Sequence, residues 1–132
     1  MGLDTTHDAF NGAYSSFNRF RQIIAKAMGG SYPPHEDRRF PDDLFYWGDA
    51  YSAESHPGLY IFLTHSDCDG EISAKGCKLV ADDLEKLLPK IEALGGDVIG
   101  HLARVGTYAD VTRKFIAGCR LAYENNEPLE FL

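Results

Sequence analysis

At 132 residues and 44% apolar composition, with 8 Phe, 7 Tyr and 1 Trp, the chain can build one hydrophobic core, which argues against a disordered protein. Its 13 Lys and Arg against 20 Asp and Glu give a net charge of -7, a field that opposes phosphate backbones and anionic membrane surfaces, so ordinary nucleic-acid binding is disfavoured. No apolar run approaches the roughly 20 residues that cross a bilayer, and three cysteines without a CxxC pair suit a reducing compartment, so a cytoplasmic, single-domain protein over 1–132 with no membrane association is expected.

The first element expected is a helix over 5–28. Thr5 would cap it, with Asp8 three residues later as a variant capping box. Phe10, Ala13, Phe17, Phe20, Ile24 and Met28 recur at helical spacing, and Gly29-Gly30 supplies a left-handed stop. Residues 31–57 break into Pro33-Pro34, charges and an aromatic group of Phe40, Leu44, Phe45, Tyr46, Trp47 and Tyr51. They read as a long ordered loop, of the kind that often carries function.

Residues 59–64 (Leu-Tyr-Ile-Phe-Leu-Thr) are continuously apolar and rich in aromatic and branched side chains, which predicts a strand covered on both faces. A polar loop follows, and then a helix whose inner face is Leu79, Val80, Leu84, Leu87, Leu88, Ile91 and Leu94, which Pro89 should kink or split. A last helix carries Tyr108, Val111, Phe115, Cys119 and Ala122 inward and stops at Asn125-Asn126-Glu127-Pro128. Residues 129–132 alternate like an edge strand, expected to pair with 59–64. The fold class is therefore α+β, three main helices packed with a small sheet. Gly12 and Gly118 fall inside predicted helices, where glycine costs about 1 kcal/mol against alanine, so a close approach of packed elements is expected at each.

The chemistry concentrates in residues 65–71, His-Ser-Asp-Cys-Asp-Gly-Glu, where five of seven side chains can hold a metal or a proton. Aligned with a calcium-binding EF-hand loop, His65, Asp67 and Asp69 take positions one, three and five and Gly70 the turn, but Gly76 stands where the bidentate Glu is required, so a full EF-hand is rejected. His65, Asp67 and Asp69 remain candidate ligands for a divalent cation. His65 with Cys68 could instead bind zinc if His7, Cys77 or His101 completed the set. The competing structural reading is an Asx turn in which Asp67 and Asp69 accept their own backbone amides.

On the predicted first helix, His7, Asp8, Asn11, Ser15, Asn18 and Gln22 form a stripe of short polar side chains where a solvated face would favour Glu and Lys. That choice suits a wall of a polar pocket, with Arg19 able to recognise an anion, although Arg19 would more commonly be half of an ordinary surface ion pair. Cys68 or Cys77 with a histidine and a carboxylate could assemble a nucleophile, but Cys119 on an apolar stripe reads as a buried hydrophobe.

Gly2-Leu3-Asp4-Thr5-Thr6-His7-Asp8 with Gly12-Ala13-Tyr14-Ser15, the run from His65 to Ile72, and the ending Phe115-Ile116-Ala117-Gly118 through Leu129-Glu130-Phe131 resemble motifs of a family of small bacterial and bacteriophage proteins. Asn11 stands where that pattern has histidine, which counts against a metal site on the first helix. The resemblance implies a cytosolic or phage setting and brings no activity with it. In such a setting a counter-defence role is conceivable, by sequestering a small nucleotide signal or by blocking a host protein.

The leading expectation is a non-catalytic binding module in which His65, Asp67, Asp69 and Glu71 face His7, Asn11 and Ser15, with Arg19 beyond, around a polar small ligand or divalent cation. A metal-dependent hydrolase using the same residues is the second reading. A protein-interaction module using the aromatic segment 40–51 is the third.

Overall fold

The structure is a computed structural model that describes residues 2–32, 48, 50–66, 70–94 and 106–132. In chain order these form strand β1 (Gly2–Asp4), a 3-10 turn (Thr6–Asp8), strand β2 (Asn11–Ala13), helix α1 (Tyr14–Ala27), helix α2 (Pro57–Thr64), strand β3 (Glu71–Ile72), helix α3 (Ala74–Leu94), helix α4 (Tyr108–Glu124) and strand β4 (Leu129–Glu130). The α+β class holds, with helices dominant and two antiparallel pairs, β1 with β2 and β3 with β4.

The helix expected from Thr5 begins only at Tyr14. The preceding residues fold back on themselves: Leu3 pairs with Gly12, and Thr5 exchanges backbone and hydroxyl hydrogen bonds with Phe10, the Phe10 amide donating to Thr5 Oγ1 at 2.9 Å. His7 and Asp8 both adopt positive φ, 60° and 54°, which no helix can contain. Asp8, Asn11 and Gly12 are weak helix formers whose side chains compete for backbone groups, so the apolar spacing of Phe10 and Ala13 is met here by a compact hairpin. From Phe17 onward the expected stripe is buried, and Gly29 at φ +82° ends the helix, with Gly30 donating to the Ala25 carbonyl.

Residues 59–64 form a helix where a strand was expected. Pro57 occupies the first turn, and Gly58, Leu59, Phe62 and Leu63 are buried, a helical spacing hidden inside a run that is apolar on nearly every side. An eight-residue helix is marginal alone. Groups from other elements complete both of its ends. Asp83 on α3, itself buried, accepts the Gly58 and Leu59 amides at 2.8 and 3.2 Å. At the other end the Tyr32 hydroxyl donates to the Leu63 carbonyl at 3.0 Å and the Arg21 guanidinium to the His65 carbonyl. The pairing expected between 129–132 and 59–64 is consequently not formed: Leu129 pairs with Ile72 and Glu130 with Glu71, and Phe131 bridges Thr5.

Helix α3 is continuous through Pro89, which does not split it. Pro89 lies on the exposed face, where water can meet the carbonyl that loses its partner. Helix α4 starts with a full capping box, Thr107 Oγ1 accepting the Asp110 amide at 3.2 Å and Asp110 accepting the Thr107 amide at 3.1 Å. Its inner residues Tyr108, Val111, Phe115, Cys119 and Ala122 are buried as expected. Gly118 marks a close approach, because a Cβ there would overlap Ala9 of the N-terminal hairpin, whereas Gly12 lies in β2 and not in a helix.

The centre of the core is a set of phenylalanine rings from distant parts of the chain. Phe17 meets Phe10 edge-on at 4.9 Å, and Phe62 meets both Phe20 and Phe115 edge-on at 5.1 Å. Each such pair adds about 1 kcal/mol beyond its buried area.

Candidate functional site

The site is organised by the short strand near the end of the sequence. Strand β4 lies between two segments that are far apart in the chain. On one side Glu130 and Leu129 pair with Glu71 and Ile72, and the Phe131 amide donates to the Gly70 carbonyl at 2.9 Å. On the other side Phe131 bridges Thr5, the Glu130 amide donates to Thr6 Oγ1 at 2.9 Å, and the Leu132 amide donates to the Asp4 carbonyl at 2.8 Å. The segments 2–8 and 65–72, singled out in the sequence as separate motifs, are thus stitched to opposite edges of one strand.

Alternation along β4 decides what faces outward. Leu129 and Phe131 are buried, while Glu130 is exposed directly opposite the exposed Glu71. Cross-strand partners stand about 5 Å apart at Cβ, and like charges there are destabilising. Among the described residues neither carboxylate has an ion-pair partner.

His65 follows α2 and packs its ring on Phe131, centroids 4.3 Å apart. Both of its ring nitrogens face backbone carbonyls, Nδ1 that of Ser66 at 2.8 Å and Nε2 that of Glu71 at 3.0 Å. The ring therefore closes the loop between α2 and β3, and it would have to turn before either nitrogen could ligate a metal. Gly70 makes that closure with φ +85°, a conformation that favours glycine. The candidate ligands Asp67 and Asp69, with Cys68, lie outside the described residues. Among the described residues no group of three or more His, Cys, Asp or Glu side chains converges to hold a metal ion.

His7 sits on the other edge. Its Nδ1 lies 2.9 Å from Thr6 Oγ1 and its Nε2 3.0 Å from Glu127 Oε1, on the turn between α4 and β4. The ring is largely sheltered, with 12% of the side chain exposed. Asn11 donates to Asp8 at 2.9 Å, and Asp8 also pairs with Lys114 at 3.3 Å. Ser15 is exposed in the first turn of α1, past Asn11 in β2, and Arg19 lies one turn further along α1 against the Tyr108 hydroxyl. Burial pushes that hydroxyl up from its ordinary pKa, with Arg19 pulling in the opposite direction. Among the described residues no hydrogen bond or ion pair joins Ser15 or Arg19 to His7 or His65, so the expected polar stripe is divided among a turn, a strand and a helix.

The structure adds Thr6, Glu127 and Glu130 to the candidates. Thr6 stood inside a motif already noted. Glu127 and Glu130 read as an ordinary helix stop and an edge strand, and only the long-range pairing gives them neighbours.

Cys77 and Cys119 do not join a histidine among the described residues. Their buried, free thiols are neighbours, and a hydrogen bond between them holds Cys77 below the ordinary thiol range and, with burial, pushes Cys119 well above it; Cys77 Sγ also reaches the Ile72 carbonyl at 3.5 Å. Elsewhere a surface cleft of about 370 Å³ is lined by Asp82, Glu85, Lys86 and Arg120, but Arg120 already pairs with both acids. Most of the aromatic segment 40–51 lies outside the described residues. Among the described residues no helix is long and apolar enough to cross a membrane.

No protein family, curated protein sequence or solved structure matches the chain.

Proposed function

We propose that the protein is a binding module for a small polar ligand, held on the outer face of β4 between the Thr6–Asp8 turn and the loop 65–71. One observation carries this reading: both motif segments are bonded to β4, where Glu71 and Glu130 oppose each other with no cation between them among the described residues. A surface selected only for stability would relieve such a pair with one lysine. A cationic group on a ligand would complete it. A divalent cation is the simplest such partner, with Asp67 and Asp69 four and two residues before Glu71 in the sequence. In a bacterial or phage setting, a metal-bound nucleotide signal would combine both properties.

Native mass spectrometry of the purified protein, followed by calorimetric titration with magnesium, manganese, calcium and zinc ions, tests the proposal. Binding that Glu71→Gln and Glu130→Gln each weaken about tenfold or more supports it. Wild-type affinity in both variants, or no bound ion or small molecule in any preparation, removes it.

A further inference from the structure

The Thr6 hydroxyl, the His7 imidazole and the Glu127 carboxylate form one hydrogen-bonded line, 2.9 Å and then 3.0 Å between heavy atoms. With an ionised carboxylate and a neutral ring the line runs one way. Glu127 accepts from Nε2–H, which leaves Nδ1 as the lone pair that accepts the Thr6 hydroxyl proton. The Glu130 amide takes one lone pair of Thr6 Oγ1 at 2.9 Å, and among the described residues no donor takes the second.

Two consecutive non-glycine residues with positive φ, His7 and Asp8, turn the imidazole back over its own neighbour. Such backbone persists only where surrounding contacts impose it. Here the contacts come from the opposite end of the sequence. The base is sheltered while the carboxylate that orients it is 55% exposed, and Thr6 itself is half-buried beside the Glu130 backbone.

We infer that Thr6 is a nucleophile, His7 its general base and Glu127 the positioning residue that fixes the imidazole tautomer, the order of groups by which unrelated hydrolases activate a hydroxyl. The substrate class is an activated acyl group, an ester or thioester. Thr6 Oγ1 bonds to the acyl carbon while its proton passes to His7 Nδ1. The carbonyl re-forms as the alcohol or thiol leaves, taking that proton. Water then attacks the acyl-threonine, gives its proton to His7 and releases the carboxylic acid, returning Thr6 and the neutral ring. The inference goes beyond ligand binding and does not require the His65 side of β4.

The experiment uses the full chain with p-nitrophenyl esters of graded acyl length. Nitrophenol release, intact mass and peptide mapping of the acylated residue are followed together. A burst accompanied by acylation of Thr6 is expected. Thr6→Val should abolish both, and Thr6→Ser should retain them. Glu127→Gln should lower kcat about 100-fold with KM unchanged, a split that a merely structural role would not produce. Absence of burst and adduct across the series, acylation confined to lysine or histidine, or wild-type turnover by a folded Thr6→Val protein overturns the inference. Should Thr6→Val fail to fold by circular dichroism, the peptide map of the wild-type adduct and the Thr6→Ser rate decide.

Discussion

Arg21 on α1 donates its guanidinium to the main-chain carbonyl of His65, the residue that opens the candidate site. Arg21 is wholly buried, lies 4.6 Å over the Phe17 ring and 5.9 Å from that of Phe62, and reaches the Tyr32 hydroxyl at 3.3 Å. Its positive charge meets the negative end of α2, and its flat fork stacks in the aromatic core while donating at its rim. Arg21→Met keeps most of the apolar stem and removes the donors, so stability should fall by about 2–3 kcal/mol in urea denaturation. Arg21→Lys should not restore it, because a point charge cannot stack and donate in two directions. A loss under 1 kcal/mol in the methionine variant would show the contact to be incidental.

At the other end of α2, Asp83→Ala removes the only carboxylate that receives the Gly58 and Leu59 amides among the described residues. A lost cap of this kind lowers stability by about 1–2 kcal/mol. Asp83→Asn should lie between, since one amide oxygen can still accept. Gly58→Ala should be worse than either. A Cβ there would run into the Leu79 backbone, which cannot rotate away, and soluble folded yield is the measurement that checks it.

Gly118→Ala tests the approach of α4 to the N-terminal hairpin. The added methyl would overlap Ala9, so the melting temperature should drop even though alanine is the better helix former. An unchanged or raised melting temperature would mean that the hairpin moves aside freely.

Acid should weaken the protein through two aspartates. Asp110 is held below the ordinary carboxylate range chiefly by the Thr107 backbone amide, and Asp82 chiefly by its bond to Lys78. Both folded values are depressed, so both contributions are full above the ordinary aspartate range and are lost as pH falls through the lowered values, below about pH 4. Asp110→Asn and Asp82→Asn should each flatten the acid limb of a plot of urea midpoint against pH. In molar salt the Asp82 effect should shrink more than the capping effect, because the exposed pair with Lys78 is screened and the backbone bond is not.

Glu130→Gln separates stability from binding. Relieving the opposition to Glu71 should raise stability by a few tenths of a kcal/mol while weakening any cationic ligand. Loss of stability in this variant would mean that Glu130 already has a partner in the folded protein.

The parts of this fold that local pattern controls were legible in the sequence. The face of α4, the body and stop of α1, and the left-handed turn at Gly29 follow from spacing and backbone sterics, and each is found as expected. What failed was decided elsewhere in the molecule. Residues 59–64 are apolar on too many sides to show a period, and their helix depends on Asp83, Tyr32 and Arg21, none of them nearby in sequence. The start of α1 was misplaced because Phe10 and Ala13 keep helical spacing while serving a hairpin. At the site, His7 and His65 stood out as residue types, but their partners Glu127 and Phe131 come from the turn after α4 and the end of β4, whose position against those histidines no local signal encodes.

Thr6 and Glu130 are 124 positions apart, yet a bond between them closes one edge of β4. A contact spanning so much chain has to overcome a large loop-closure entropy before it returns any enthalpy, so it belongs to the late phase of folding. Residues 129–132 should dock after the helices have assembled and detach before they melt, and the amides of Glu130, Phe131 and Leu132 should exchange with solvent deuterium together, as one unit, ahead of those in α4.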